Sequence, residues 1–292
     1  MLRILLALIV VALSARSPAW AAELKLATWN IAWLTTRAPN DRALPRDLTP
    51  RQPGDWRLLA RYAARLEADI IALQEIDGPE AAARIFPHSE YALFFPEEDD
   101  IQRTGFAIRR TLRVTQHADL EGLDLSPNAY RSLRRGTDVT VEAGSTRLRL
   151  LSIHLKSGCH SAPLANTARR ECDDLARQTE ILAEWVRARS RESTPFAIMG
   201  DFNRRFDRPH DEMLTALTAR APLIRATQGV SNPCWSDGRG GRPFIDHILL
   251  SESAARLVQP DSLRVMLYAE RDPAMRNRLS DHCPVSIRLR IR

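Results

Sequence analysis

The sequence predicts a single α/β domain in which β-sheets pack between helices. Three observations carry this. Short apolar runs that end on a polar residue recur along the whole chain, mixed with stretches of helical apolar spacing. The last run alternates cleanly, with Val285, Ile287, Leu289 and Ile291 on one face and Arg288, Arg290 and Arg292 on the other. No internal repeat at the roughly 20–50-residue scale and no low-complexity linker divides the chain.

Taken in order, Met1-Leu2-Arg3 is followed by the uncharged apolar run Ile4 to Leu13, a break at Ser17-Pro18, and Ala19-Trp20-Ala21. That is the order of a secretory signal, which predicts residues 1–21 as a signal peptide and 22–292 as the mature domain. The run covers about half of a bilayer core, too little for an anchor, and no later segment approaches a membrane span. The protein is therefore expected in the periplasm or outside the cell, with no integral membrane segment. Leu24 to Trp29 reads as a first strand, and Thr35 to Asp55, rich in Pro, Arg and Asp, as a long loop. Asp55 can cap a helix carrying Leu58, Leu59, Tyr62 and Leu66. Asp69 to Glu75 is a buried-type strand, Gly105 to Arg109 and Asp138 to Val141 are shorter ones, and Arg147 to Leu155 is longer. Along that longer strand Leu148, Leu150 and Ser152 share one face, and Leu151, Ile153 and Leu155 the other. Glu171 to Arg191 is a long amphipathic helix with Leu175, Leu182 and Trp185/Val186 on its apolar side. Phe196 to Met199 and Phe244 to Leu250 are further buried strands.

The bulk numbers bound the partners. Removing Arg3 and Arg16 with the signal leaves 40 basic against 36 acidic residues, a basic balance that favours anionic partners without identifying one. The four cysteines, Cys159, Cys172, Cys234 and Cys283, allow three pairings. Cys159 and Cys172 bracket a short polar loop, which favours Cys159–Cys172 and leaves Cys234–Cys283. No pair has the C-x-x-C spacing of a zinc site.

The strand tips carry the chemistry. Polar residues close or open six apolar strands: Trp29-Asn30, Gln74-Glu75, His154-Leu155-Lys156-Ser157, Gly200-Asp201-Phe202-Asn203, Ile245-Asp246-His247 and Asp281-His282. One such tip is ordinarily a turn or a cap; six together point to a site at a sheet edge. Asn30, Glu75, Asp201, Asn203 and Asp281 are hard oxygen donors suited to Mg²⁺, Mn²⁺ or Ca²⁺. His154 and His282 add groups that ordinarily titrate near neutrality. With no Gly-rich phosphate loop and no nucleophile elbow, the remaining chemistry is attack of an activated water on phosphorus, assisted by a metal.

Thr28-Trp29-Asn30-Ile31, Leu73-Gln74-Glu75, Ile153-His154-Leu155-Lys156, Gly200-Asp201-Phe202-Asn203, Ile245-Asp246-His247-Ile248 and Ser280-Asp281-His282-Cys283-Pro284-Val285 resemble, in order, the motifs of the endonuclease/exonuclease/phosphatase superfamily, the deoxyribonuclease I-like fold. The resemblance implies a four-layer sandwich of two packed mixed β-sheets flanked by α-helices. It also implies a metal-dependent phosphoesterase with a divalent ion, Mg²⁺ as first choice. On the matching positions Glu75 is the principal metal ligand, with Asn30 beside it and Asp281 close by. Asp201 positions or activates the water, Asn203 bonds phosphate oxygens, and His282, oriented by Asp246, serves proton transfer or stabilises the pentacovalent phosphorane. His154 matches a second histidine of the deoxyribonuclease I and sphingomyelinase branches. The glutamate that pairs with it in deoxyribonuclease I is matched here by Gln102, with Asp99 or Asp100 as substitutes. Arg135 stands where a phosphate-contacting arginine is often found, and Arg134 competes for that place. Arg204 and Arg205 are either phosphate contacts or solvated loop residues, His247 is structural, and His88, His117, His160 and His210 are ordinary surface or loop residues. The expected activity is a secreted, monomeric nuclease. The alternatives are a phosphodiesterase or phosphatase of lipid or inositol head groups, and a non-catalytic binding module on the same fold.

Overall fold

The computed structural model describes residues 22–127, 129, 132–165, 168–236 and 241–291. The expected signal peptide and the outward Arg292 lie outside the described residues. In chain order the elements are β1 (Ala22–Leu34), α1 (Pro53–Leu66), β2 (Ile70–Ile76), α2 (Gly78–Ala83), β3 (Tyr91–Phe94), β4 (Arg103–Arg109), β5 (Arg113–Gln116), β6 (Thr137–Ala143), β7 (Thr146–His154), α3 (Arg170–Ser190), β8 (Phe196–Asp201), α4 (Glu212–Thr218), β9 (Leu223–Arg225), β10 (Asp246–Ser251), α5 (Glu252–Ala255), β11 (Arg264–Val265), α6 (Met275–Arg278) and β12 (Val285–Ile291).

They form two mixed six-stranded sheets, ordered β11-β12-β1-β2-β4-β3 and β5-β6-β7-β8-β10-β9. Alternation along each strand decides the layers. Leu24, Leu26, Ile70, Ala72, Phe106 and Ile108 of the first sheet meet Val139, Val141, Leu148, Leu150, Ala197, Met199, Ile248 and Leu250 of the second. The opposite face of the first sheet packs Ala27, Trp29, Ile71 and Leu73 on Leu59, Tyr62, Ala63 and Leu66 of α1. The opposite face of the second packs Leu151, Ile153 and Ile198 on Leu175, Leu182, Trp185 and Val186 of α3. The result is the four-layer sandwich. Near one end the two sheets are also tied by polar groups: Thr28 Oγ1 donates to Gln74 Oε1 at 3.2 Å, and Gln74 Nε2 to Ser152 Oγ at 3.1 Å.

Connection sense puts the functional tips together. β1 and β2 run parallel, as do β7 and β8, so Asn30, Glu75, His154 and Asp201 all arrive at one edge. β10 and β12 run antiparallel to β8 and β1, so Asp246 and the residues before Val285 start from that same edge. A parallel pair needs a long crossover, which α1 and α3 provide.

Helix α1 begins slightly earlier than its sequence signal: Gln52 is the cap, and the expected cap Asp55 sits three residues inside, its carboxylate accepting from Gln52 N at 2.7 Å. The short strands β3, β5, β9 and β11 lack a long apolar run and pass unannounced in the sequence.

Cys159–Cys172 and Cys234–Cys283 are bonded, across 13 and 49 residues. Chain entropy assigns about 3 and about 4 kcal/mol to such closures. Reduction should therefore lower the thermal midpoint clearly. Cys234→Ala/Cys283→Ala should also lower activity, because Cys283 follows His282; a midpoint and rate unchanged by reduction would contradict both expectations.

Candidate active site

The end of β1 does not continue as regular strand. Between Asn30 and Leu34 its pairing with β2 slips, and Ala32 and Trp33 take φ of 43° and 56°. β2 bulges in turn at Glu75, φ 61°. Left-handed backbone at non-glycine residues is costly and concentrates at sites. Here it frees the Glu75 carboxylate, whose Oε2 accepts from Trp33 N at 3.1 Å and Oε1 from Asn30 Nδ2 at 3.0 Å. Asn30 Nδ2 also reaches Asp201 Oδ2 at 3.2 Å, while its Oδ1 accepts from Ala32 N at 2.9 Å. Asn30 thus ties Glu75 to Asp201, and the amide oxygen expected from the sequence to face a metal is turned to its own bulge.

Asp201 is 2 % exposed. Its Oδ1 accepts from Asn203 N at 2.8 Å. Asn203, at φ 50°, a conformation asparagine tolerates, also donates through Nδ2 to Leu155 O at 3.0 Å. The glycine of Gly200-Asp201-Phe202-Asn203 has a steric reason: at φ +148° a Cβ there would lie 2.0 Å from Ile153 O. Across from Asp201, His282 Nδ1 donates to both oxygens of Asp246, at 3.0 and 2.9 Å, leaving Nε2 directed to Asp201 Oδ2 at 3.8 Å. The main chain at His282 is pinned twice, by Tyr268 OH on its carbonyl and by Ser280 Oγ on its N–H, each at 3.0 Å. Trp29 Nε1 donates to that same Tyr268 hydroxyl at 3.0 Å, which explains the tryptophan of the first motif.

Burial alone pulls the His282 imidazole down. The charges of Asp246 and Asp201 and the Asp246 hydrogen bond outweigh it and hold the group well above its ordinary value. Burial, opposed by His282 and reinforced by Asp246, pushes Asp201 up to about 7. His154 moves the other way, well below its ordinary value, through burial and the charges of Arg134 and His282. The sequence expectation that both histidines titrate near neutrality thus changes. His282 is the cation and His154 the neutral ring.

His154 Nε2 accepts from Arg134 Nη2 at 2.7 Å, and Nδ1 is buried without a partner. Neither Gln102, Asp99 nor Asp100 fills the partner position; Asp100 instead accepts from Ser132 Oγ at 3.1 Å. The expectation for Arg135 also changes. It is drawn off by Glu121, with Nη1 2.9 Å from Oε1, and the adjacent Arg134 is the arginine that reaches the site. Arg204 is 3 % exposed and locked to Asp211 Oδ2 at 2.7 Å, so it meets no substrate. Arg205 lies beside His160 and His282. His160 is less ordinary than its loop position implied, since Nδ1 bonds Asn203 O at 2.8 Å. His247 is fully buried between Thr227 Oγ1 and Arg204 O, at 2.9 Å each, and is structural.

Arg51 was hidden inside the Pro- and Arg-rich loop. Its partly buried guanidinium donates to the carbonyls of Ile31, Ala32 and Trp33 at 2.6, 2.7 and 2.8 Å, and to Leu279 O at 2.7 Å. It fastens the Asn30–Leu34 bulge to the segment entering Ser280-Asp281-His282. An isolated arginine in a loop gives no sequence signal for this. Arg51→Ala leaves those carbonyls without donors and lets the bulge relax; kcat should fall about 10–10²-fold, with Arg51→Lys intermediate. A wild-type rate in both variants would contradict the positioning role.

Glu75 and Asp281 line one hollow of about 410 Å³ with Asp47, and Arg276 is the one cation lining it. Asp281 is half exposed, its Oδ1 3.9 Å from His282 Nε2. Carboxylates that line one hollow with little opposing charge suit a hard divalent cation. A tighter grouping, Asp201, Asp246 and His282 within 4.8 Å, fits one less well, because Asp246 already holds the His282 proton.

No curated protein matches the chain. Several solved structures share its fold. The D. rerio TDP2 structure in complex with a single-strand DNA product is 20% identical, with 91% of this chain and 98% of that one covered at a TM-score of 0.55. The human Nocturnin catalytic domain with bound sulfate is 15% identical, with 91% and 93% covered at 0.57. An endonuclease/exonuclease/phosphatase family protein from Bacteroides thetaiotaomicron is 14% identical, with 93% and 98% covered at 0.55. The family model described as endonuclease/exonuclease/phosphatase matches residues 27–282, spanning every motif from Thr28 to His282. The chain belongs to the endonuclease/exonuclease/phosphatase family and is a hydrolase of phosphoester bonds.

Proposed function

We propose that the chain is a secreted or periplasmic nuclease that hydrolyses nucleic-acid phosphodiesters, acting as a monomer after loss of residues 1–21. The observation that carries the choice of a polyanion is the grouping of Arg205, Arg242 and Arg276 in the hollow beside His282. Among the described residues none of the three has a carboxylate partner. Two disulfides fit an oxidising compartment. No helix among the described residues is long and apolar enough to cross a membrane.

The residues divide the work as follows. Arg134 and Asn203 flank the position of the scissile phosphate. Asp201, with both oxygens oriented by Asn203 and Asn30, accepts from the attacking water and aims it at phosphorus. His282, kept protonated by Asp246, donates to phosphoryl or leaving oxygen as charge builds there. Glu75 and Asp281 would hold a divalent cation, which would draw charge off the phosphate oxygens. His154, neutral and bonded to Arg134, keeps that guanidinium on the site.

The test is a substrate panel with Mg²⁺: plasmid DNA, RNA, a phosphatidylinositol phosphate and p-nitrophenyl phosphorylcholine. Nucleic acids should be cleaved at least about 10²-fold faster than the head-group esters. The reverse order would install the head-group reading in place of the nuclease.

A further inference from the structure

Five tryptophans lie among the described residues, and four of them have their rings engaged. Trp29 meets Phe86 edge-on, Trp185 meets Phe196, Trp235 stacks on Tyr268, and Arg84 lies 4.0 Å over the ring of Trp56. The fifth, Trp33, has no ring or cation partner among the described residues, and it packs into none of the three apolar clusters.

Its main chain, by contrast, is fixed on both sides. Trp33 N donates to Glu75 Oε2 at 3.1 Å, and Trp33 O accepts from Arg51 Nη1 at 2.8 Å. Any residue can make those two backbone bonds. At φ 56° glycine would make them with the least strain and a bulky residue with the most. The chain nevertheless places its largest kind of side chain there. The indole therefore has a use of its own, and the cores do not supply it.

Trp33 stands where two hollows adjoin. Trp33, Leu48 and Thr49 line both the Glu75 hollow and a second one of about 150 Å³. The second is lined as well by Trp56, Arg84, Leu44 and Thr36, and by no carboxylate among the described residues. A space of about 150 Å³ takes one flat ring of benzene's size. Indole faces and a guanidinium plane suit the π face of a base, and the hydroxyls of Thr36 and Thr49 suit its polar edge.

We propose that Trp33 is a stacking platform, and that the hollow it shares with Trp56 receives the base of the nucleotide next to the scissile phosphate. This rests on the nuclease reading and names the part of the substrate gripped beside Glu75. Because the Trp33 main chain is bonded to the Glu75 carboxylate, a base stacked on the indole sets where its own phosphate falls relative to that carboxylate.

The experiment compares the p-nitrophenyl esters of thymidine 5′- and 3′-monophosphate with methyl p-nitrophenyl phosphate, which has the same leaving group and no base. With Mg²⁺, kcat/KM for the better thymidine ester should exceed that for the methyl ester at least about 10-fold, chiefly through KM. Trp33→Leu keeps apolar bulk but removes the aromatic face, and should cut that ratio about 10-fold; Trp33→Phe should restore most of it. An unchanged ratio in Trp33→Leu, or Trp33→Phe no better than Trp33→Leu, overturns the base site. If wild type still cuts a single-stranded oligonucleotide, the nuclease reading stands. An oligonucleotide left uncut, with the methyl ester hydrolysed, overturns both. Should Trp33→Leu misfold, tryptophan emission decides: thymidine 5′-monophosphate should quench wild type saturably and Trp33→Phe less. Equal quenching in the two, or none in wild type, overturns the platform.

Discussion

His282→Ala is expected to lower kcat for phosphodiester hydrolysis about 10²–10⁴-fold with little change in KM. The ring is a made group. Asp246 holds Nδ1 at 2.9 Å, Tyr268 and Ser280 fix its backbone, and Nε2 is left free toward the reaction. Asp246→Asn should cost less than the histidine itself, because the amide still orients the ring but no longer raises its proton affinity. The sign of the pH dependence follows from the same contacts. With Asp201 raised to about 7, an Asp201-dependent limb should rise through that pH as the carboxyl becomes anionic. With His282 held well above its ordinary value, activity should fall only at alkaline pH, as the imidazolium loses its proton. Asp246→Asn should move that alkaline limb to lower pH. A variant at position 246 that loses rate without moving the limb would show a role limited to packing.

Glu75→Gln should raise the Mg²⁺ concentration needed for half-maximal activity at least about 10-fold and cut kcat/KM about 10²-fold or more. Mere partners of metal ligands commonly cost 10–100-fold, and Glu75 is proposed as a ligand itself. Isosteric Gln keeps the length of the side chain and one acceptor, for Trp33 N, while removing the charge and the acceptor that Asn30 Nδ2 uses. The loss of negative charge is thereby read without enlarging the hollow. Asp281→Asn, at a half-exposed position, should be milder. Equal Mg²⁺ requirements in wild type and Glu75→Gln would place the cation elsewhere, and the Asp201, Asp246 and His282 grouping would become the first alternative.

Much of this was legible in the sequence because strand ends are short-range signals. Buried parallel strands read as apolar runs, so β1, β2, β7, β8 and β10 declare themselves, and the polar residue at each tip follows. That all six tips meet is a matter of strand direction, which the ordered motifs imply and the sheet registers show. What stayed hidden depends on long-range packing. Arg51 looks like any loop arginine until the bulge carbonyls surround it. The choice between Arg134 and Arg135 turns on which of two adjacent side chains Glu121 captures. The neutral state of His154 comes from its burial and from Arg134, neither of which local spacing encodes. Left-handed backbone at Ala32, Trp33 and Glu75 likewise has no glycine to announce it.

The most direct measurement is hydrolysis of a single-stranded oligonucleotide by the purified protein, with Mg²⁺, with EDTA, and with Mg²⁺ restored. The doubly substituted His282→Ala/Glu75→Gln chain is carried through in parallel. Hydrolysis that needs the metal, returns with it and is absent from the double variant is the expected result. A rate indifferent to EDTA, or equal in the double variant, would contradict the assignment of phosphoester hydrolysis to this edge of the sandwich.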